Sequence, residues 1–152
     1  MQKIVPFLWF EDRVEEALEF YTSVFTDFEV VSKQGFGGAG AFKSATVRIY
    51  GQEFILFSAG PFAKFSPATS FFINCETQEE VDMLWNKLGD GGKPNRCGWL
   101  DDKFGLTWQI VPTALGRLLG DTDRVKANRV MEAMMKMNKI VIADLEKAYD
   151  GE

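Results

Sequence analysis

The sequence has no histidine, and its 152 residues include only 2 cysteines. Histidine is the usual general base for a serine or cysteine nucleophile and a common ligand of transition metals. Its absence disfavours a Ser–His or Cys–His catalytic site. Cys75 and Cys97 each end a predicted strand, so we expect small apolar side chains with reduced thiols rather than reactive groups.

The chain also lacks an apolar run of about 18 residues, the length that spans a bilayer, and no apolar leader precedes the first strand. We therefore expect a cytoplasmic protein with no membrane partner. Basic residues are in the minority, since 17 Lys and Arg against 22 Asp and Glu give a net charge of −5. Neutralising phosphates requires a dense basic face, so no nucleic-acid partner is expected.

Aromatic residues, in contrast, are abundant. The chain has 14 Phe and 4 Trp within an ordinary globular balance of 46% hydrophobic and 26% charged residues. These are more aromatic residues than a core of this size usually contains. Some of these rings are therefore candidates for lining a pocket.

A strand, a helix and three further strands are predicted twice in succession, which gives an α+β fold. The first copy occupies residues 1–58, with strands at 4–10, 28–34, 42–50 and 52–57 and a helix at 12–25. The second copy occupies residues 69–112, with strands at 69–75, 93–97, 99–101 and 106–111 and a helix at 77–88. Residues 59–68 form a connector, and residues 113–152 add helices at 113–119, 122–137 and 141–149. We predict one domain over residues 1–152.

The two long helices begin with the same signal. Asp12 and Glu15 in the first copy recur as Thr77 and Glu80 in the second, and both pairs have the spacing of a capping box. Two sheets of this kind, each covered on one side by its helix, leave an open face on the other side.

The segment Cys97–Pro112 is predicted to form two short strands joined by a polar turn around 101–105. Alternation along the second strand places Gln109 on one face and Trp108 and Ile110 on the other. Gln109 is therefore a candidate for the open face of the second sheet.

The same alternation gathers aromatic, amide and hydroxyl side chains on the open faces. Such a lining suits a small, partly apolar ligand, although the rings could instead simply fill the space. Arg48 could contact an anionic group or be paired on the surface. The predicted ligand-binding residues are Phe7, Trp9, Arg48, Phe57, Ser70, Phe72, Asn74, Thr107 and Gln109.

The glycine-rich segment 35–40 matches the Gly-x-Gly-x-x-Gly pattern of dinucleotide sites. That motif requires a helix directly after the glycines, whose N-terminus holds the pyrophosphate. Residues 42–50 alternate like a strand instead. We therefore predict a flexible loop between two strands and no nucleotide or S-adenosylmethionine site.

Beyond these patterns, the chain resembles the PhnB-like (demethylubiquinone methyltransferase-like) family of the vicinal oxygen chelate superfamily, which includes glyoxalases, bleomycin-resistance proteins and dioxygenases. The resemblance covers nearly the whole chain and is carried by the doubled unit and by the segments 6–12, 60–65, 74–82, 97–112 and 129–137. It implies paired βαβββ modules with cup-shaped sheets, the glyoxalase/bleomycin-resistance fold, and a homodimer.

In metal-dependent members of that superfamily, the resemblance implies ligands at Val5, within 55–57, at Ser70 and at Gln109. Only Gln109 offers a plausible donor oxygen, whereas a transition metal needs three or four imidazole, thiolate or carboxylate groups. We therefore predict no bound metal and no cofactor, although Glu53 could be recruited from a turn. Ser70 and Cys75 lack a visible base, so the catalytic residues stay unassigned.

The leading interpretation is a small-molecule binding protein whose cup has lost the metal ligands. One alternative is a metal-dependent isomerase, lyase or dioxygenase of the same superfamily. Another is an interaction protein that uses the methionine-bearing helix, where Val130, Met134 and Met137 share a face. Packing of that face on the protein's own sheet or on a second copy is the favoured explanation.

Overall fold

The computed structural model describes residues 2–38, 40 and 42–152. The chain divides into two compact units, Met1–Phe65 and Ser66–Glu152, and the division falls within the predicted connector. None of the described helices is long and apolar enough to cross a membrane.

The first unit is a four-stranded sheet covered by one helix. Its elements are β1 (Phe7–Trp9), α1 (Val14–Val24), β2 (Phe28–Gln34), β3 (Lys43–Ile49) and β4 (Gln52–Ser58). The strand order is β1-β4-β3-β2, with β1 parallel to β4 and the other pairs antiparallel. Alternating apolar residues of β3 and β4, such as Val47 and Leu56, are buried on the side where α1 packs.

The predicted capping box at the start of α1 is wrong. The N-cap residue is Arg13, whose side chain makes no capping hydrogen bond. The amide of Val14 instead donates to the hydroxyl of Ser58 at the end of β4, at 2.8 Å. A side chain from a distant strand therefore satisfies the donor that Asp12 was expected to satisfy.

The second unit begins with the same order of elements. They are β5 (Ser70–Cys75), α2 (Gln78–Leu88), β6 (Lys93–Pro94), β7 (Trp99–Asp101) and β8 (Thr107–Pro112). The strand order β5-β8-β7-β6 repeats that of the first sheet. The predicted cap of α2 is confirmed, because the Thr77 side chain accepts a hydrogen bond from the Glu80 amide at 3.2 Å. The doubled strand–helix–three-strand unit is confirmed as well.

The turn between β7 and β8 is held by a buried carboxylate. Asp102 is only 2% exposed. One of its oxygens accepts from the amides of Phe104 and Leu106 at 2.9 and 3.1 Å. The other accepts from the indole N–H of Trp108 at 2.9 Å. These bonds fix the hairpin that carries Gln109, whose strand pairs antiparallel with β7 as predicted.

Three helices follow the second sheet, namely α3 (Thr113–Leu119), α4 (Arg124–Met134) and α5 (Ile142–Asp150). They enclose a small core with the end of β8, formed by Val111, Leu115, Leu118, Val130, Ile140 and Leu145. Backbone bonds also join this segment to the sheet region, for example from the Cys97 amide to the Met137 carbonyl at 2.8 Å. The helical segment is therefore an integral part of the second unit.

The glycine-rich segment 35–40 joins β2 to β3, and β3 rather than a helix follows it, as predicted. Ala39 and Ala41 lie outside the described residues. The predicted strand at 93–97 is shorter than expected and ends at Pro94. The chain turns directly after it, with the Trp99 amide donating to the Arg96 carbonyl at 3.1 Å.

Candidate ligand-binding site

A cavity of about 520 Å³ lies on the open face of the second sheet, between that sheet and the helices that follow it. We call it the second-sheet pocket. All of its lining residues belong to the second unit. They are Phe72, Asn74, Cys97, Trp99, Gln109, Val111, Pro112, Thr113, Leu115, Gly116, Arg117, Leu119 and Met134.

The floor of the pocket is a row of side chains across three strands. Gln109 in β8 pairs with Phe72 in β5 on one side and with Trp99 in β7 on the other. Paired residues of neighbouring strands point to the same face, so two aromatic rings flank one amide. Phe72 is 54% exposed, which leaves its ring available for contact.

The amide of Gln109 is oriented by a neighbour on the same face. Its Nε2 donates to the hydroxyl of Ser70 at 2.9 Å. Among the described residues, nothing donates a hydrogen bond to its Oε1. Gln109 thus offers an acceptor in a fixed direction, beside the aromatic rings of the floor.

The opposite wall comes from α3, with Met134 of α4 at its edge. Thr113, Gly116 and Arg117 stand three and four positions apart and so share one side of the helix. A Cβ atom added at Gly116 would meet nothing within 4 Å. The absent side chain therefore leaves open space in the pocket.

Cys97 also lines the pocket, in a left-handed backbone conformation with φ of 62°. Its amide donates to Met137, which fixes the chain at that point. The other cysteine, Cys75, is fully buried, and burial, followed by the nearby charge of Glu80, raises the pKa of its thiol to about 12. Cys75 thus stays protonated at neutral pH, as expected for a structural residue.

The open face of the first sheet is built differently. Its aromatic rings contact one another, with Phe57 lying 4.9 Å from Phe7 and 5.3 Å from Trp9 between ring centroids. The indole N–H of Trp9 donates to the carbonyl of Gly60 at 3.0 Å. The polar end of this tryptophan is therefore already bonded within its own unit.

Arg48 on the same sheet lies between two carboxylates. Its guanidinium is 3.3 Å from Glu53 and 3.2 Å from Glu29. Hydrogen bonds to Glu53 and then to Glu29 raise the pKa of Arg48 above its ordinary value. The positive charge is thus matched inside the sheet.

The nine predicted ligand-binding residues fall into three groups. Phe72, Asn74 and Gln109 line the second-sheet pocket. Ser70 and Thr107 lie on the same sheet face. The Ser70 hydroxyl accepts the hydrogen bond from Gln109. Thr107 is buried, and its hydroxyl donates to Asp101 at 2.8 Å. The remaining four, Phe7, Trp9, Arg48 and Phe57, lie in the first sheet.

Sequence reasoning missed Trp99 and the whole wall formed by α3. Trp99 lies opposite Gln109 in the hairpin, a pairing that the predicted strand bounds alone did not specify. Arg117 is the only charged residue in the stretch from Thr113 to Leu119. That isolation is visible in the sequence, but nothing there indicates that the helix folds back over the sheet.

The profile of the 3-demethylubiquinone-9 3-methyltransferase family matches residues 2–111, most of the chain. The chain belongs to this family. The PhnB-like resemblance seen in the sequence is thereby confirmed over these residues, whereas the segment 129–137, which also carried it, lies outside the match. A search of curated proteins finds no match.

Solved structures agree with this assignment. The PhnB protein of Bacillus cereus, named as a candidate 3-demethylubiquinone-9 3-methyltransferase, is 36% identical to this chain, with a TM-score of 0.67. The alignment covers 73% of this chain and 99% of the Bacillus cereus chain. Protein PA1353 from Pseudomonas aeruginosa is 21% identical, with 74% and 98% covered and a TM-score of 0.58. The fosfomycin resistance protein FosX from Listeria monocytogenes is 15% identical, with 71% and 90% covered and a TM-score of 0.56. The last two show the glyoxalase/bleomycin-resistance fold alone.

The family match ends at residue 111, near the end of β8. Helices α3, α4 and α5 lie outside it. The Bacillus cereus chain is covered almost completely by 73% of this one, so about a quarter of this chain has no counterpart in that relative. The second-sheet pocket therefore combines a floor from the family scaffold with a wall from beyond the family match.

The Listeria FosX structure holds Mn(II) and sulfate, which raises the question of a metal in this family member. The donor set here does not fit one. Ser70 and Gln109 offer a hydroxyl and an amide bonded to each other, and the carboxylate of Glu53 is paired with Arg48. Across residues 2–38, 40 and 42–152, no three His, Cys, Asp or Glu side chains are grouped to hold an ion. A transition metal requires such a group.

Proposed function

We propose that this family member binds a small, partly apolar molecule in the second-sheet pocket. The observation that carries the proposal is the lining, in which Phe72 and Trp99 flank the free acceptor of Gln109 beneath α3. A volume of about 520 Å³ lies within the usual range for small-molecule sites. Such sites combine apolar walls with a few oriented polar groups.

The fixed amide supports binding over mere filling of space. A buried ring cluster needs no oriented polar group, whereas a ligand site does. Ser70 orients Gln109 without using its acceptor. A ligand N–H or O–H placed over the aromatic floor would satisfy that acceptor, and a ligand lacking such a donor would leave it unpaired.

Two other activities receive less support. A metal-dependent isomerase, lyase or dioxygenase would need ligands that Ser70 and Gln109 do not supply. Methyl transfer, which the family name suggests, would need a site for its methyl donor. The strand-to-helix connections at 10–13 and 76–77 contain no glycine, so neither matches the glycine-rich strand-to-helix turn of Rossmann-type cofactor sites.

A helix-mediated interaction role is also less supported. Val130 is fully buried, and Met134 and Met137 pack against the same core within the chain. These side chains are thus already packed inside the second unit. The homodimer and the cytoplasmic location stay predictions, as do the first-sheet ligand residues.

The test is a thermal and calorimetric titration with a neutral aromatic probe, 2-naphthylacetamide. Binding should raise the melting temperature by about 5 °C at a hundredfold excess over Kd. In Gly116→Phe, the new ring should occupy the pocket and abolish this shift. Gly116→Leu provides a second, smaller obstruction in case the phenylalanine variant folds poorly.

Gly116→Ala is the matched control. Its Cβ meets nothing within 4 Å, so the pocket should still accept the probe. Replacing a helix-interior glycine with alanine should also stabilise the protein by about 1 kcal/mol. The proposal fails if the probe does not bind the wild type, or if both obstructing variants bind it as well as the wild type does.

A further inference from the structure

We infer that the ligand of the second-sheet pocket carries a carboxylate group, which Arg117 of α3 binds while the apolar body lies on the floor of the pocket. The inference rests on the proposed function and extends it to a class of ligand. It concerns a residue beyond the family match, which ends at residue 111.

The first step is the charge of the lining. Arg117 is the only charged side chain among the residues that line the pocket. The chain as a whole has a net charge of −5, so a pocket with one positive and no negative group departs from the rest of the surface. A negatively charged ligand would meet a complementary charge there and no opposing carboxylate in the lining.

The second step is the pairing of the arginines. Each of the other arginines contacts an acceptor: Arg13 and Arg48 contact glutamates, and Arg96, Arg124 and Arg129 donate to backbone carbonyls. Within the part of the chain that the structure describes, Arg117 makes no hydrogen bond or ion pair. Its five N–H donors are all available to a ligand.

The third step concerns which anion fits. A guanidinium binds a carboxylate through two parallel hydrogen bonds, and one such pair balances one charge. A phosphate monoester carries nearly two charges at neutral pH and would need a second cation. The lining contains none. A single arginine therefore favours a carboxylate.

The geometry of the pocket separates the two recognition elements. The aromatic rings and Gln109 belong to the sheet, whereas Arg117 belongs to the facing helix. A ligand with an aromatic or other apolar body and a carboxylate at one end would use both. The Oε1 atom of Gln109 would then accept a hydrogen bond from a third group on the ligand, such as a hydroxyl or N–H.

The test compares 6-hydroxy-2-naphthylacetate with its neutral isostere 6-hydroxy-2-naphthylacetamide by isothermal titration calorimetry, so that both probes carry a hydroxyl donor for Gln109 and differ at the carboxylate. We expect the wild type to bind the carboxylate at least about tenfold more tightly, the range expected of a charge-assisted hydrogen bond. Arg117→Gln should abolish that preference, so that the two probes bind with similar affinity. Arg117→Lys should retain part of it, since the charge remains.

Lys87→Gln is the matched control for net charge. Lys87 is an exposed residue in the last turn of α2 and does not line the pocket, so its removal should leave the preference intact. Equal affinities of the wild type for the two probes would overturn the carboxylate assignment and leave the proposed function standing. A preference that survives Arg117→Gln would also overturn it. If the wild type binds neither probe, the proposed function itself is wrong.

Discussion

The two sheets share a strand order, yet their open faces carry different chemistry at equivalent positions. In the first sheet, Phe7 on β1 pairs with Ile55 on β4. In the second, Phe72 on β5 pairs with Gln109 on β8. The exposed phenylalanines are 55% and 54% exposed. The same aromatic position therefore has a hydrocarbon neighbour in one unit and an oriented amide in the other.

The polar groups of the two faces are also used differently. Trp9 and Arg48 of the first sheet are bonded to Gly60 and to two glutamates, respectively. The acceptor of Gln109 and the guanidinium of Arg117 have no partner among the described residues. If the second-sheet pocket binds a ligand as we propose, duplication of the scaffold has not duplicated its function, because a free polar group beside an apolar surface distinguishes a binding face.

The largest effect should come from loosening the helical wall that only the second sheet has. Leu145 of α5 is fully buried in the core behind that wall. Leu145→Ala should lower the free energy of unfolding by about 3 kcal/mol, the usual cost of such a truncation. It should also weaken 2-naphthylacetamide binding, because α3 shares that core. Urea unfolding and calorimetry measure the two effects.

Leu56→Ala in β4 is the matched truncation in the first unit, where Leu56 is 1% exposed. It should cost a similar free energy of unfolding and leave probe affinity unchanged. Equal loss of affinity in both variants would show that binding follows general stability rather than the helical wall.

A smaller effect should separate the two exposed phenylalanines. Phe72→Ala removes a ring from the floor of the pocket and should weaken 2-naphthylacetamide binding about tenfold, since an aromatic contact contributes about 1 kcal/mol beyond its buried area. Phe7→Ala removes the equivalent ring from the first sheet and should leave the affinity unchanged. A comparable loss of probe affinity in Phe7→Ala would show that the first sheet also takes part in binding.

The smallest effect should appear in the pH dependence of the free energy of unfolding, through a hydrogen bond between α5 and the α3–α4 turn. Tyr149 of α5 donates to Asp121 at 2.7 Å. This bond, followed by the amide of Asp123, lowers the pKa of Asp121 below its ordinary value. A lowered carboxyl pKa stabilises the fold above the unfolded value, near pH 4, and that contribution is lost as pH falls through the folded pKa. Tyr149→Phe should therefore make acid destabilisation shallower in this range.

The same bond acts in the opposite direction on the tyrosine. Asp121 raises the pKa of Tyr149, so this contribution is complete below about pH 10 and is lost as pH rises through the higher folded value. Urea unfolding across the acid and alkaline ranges tests both ends. An unchanged acid limb in Tyr149→Phe would mean that the bond contributes nothing to pairing α5 with the α3–α4 turn.

Local patterns in the sequence predicted much of the scaffold. Helix α3 was found with its predicted bounds, and alternation correctly assigned Gln109 to the open face. The failures occurred where distant groups intervened. At α1, Ser58 from another strand replaced the predicted Asp12 cap. Short-range patterns carry no record of such partners.

The pocket was beyond prediction for the same reason. Helical spacing in α3 identifies Leu115 and Leu118 as core residues but does not say which surface they cover. The structure packs them with Val111 of β8, and their neighbours Gly116 and Arg117 then line the pocket. Only the structure shows that Arg117 lines the pocket.

The open space beside Gly116 has an evolutionary consequence. Most single-base changes in a glycine codon introduce a bulkier residue, and under the proposed function each additional atom here would shorten the molecule that the pocket accepts. Within one otherwise unchanged architecture, descendants of this protein could thus shift between long and short compounds by a single mutational step.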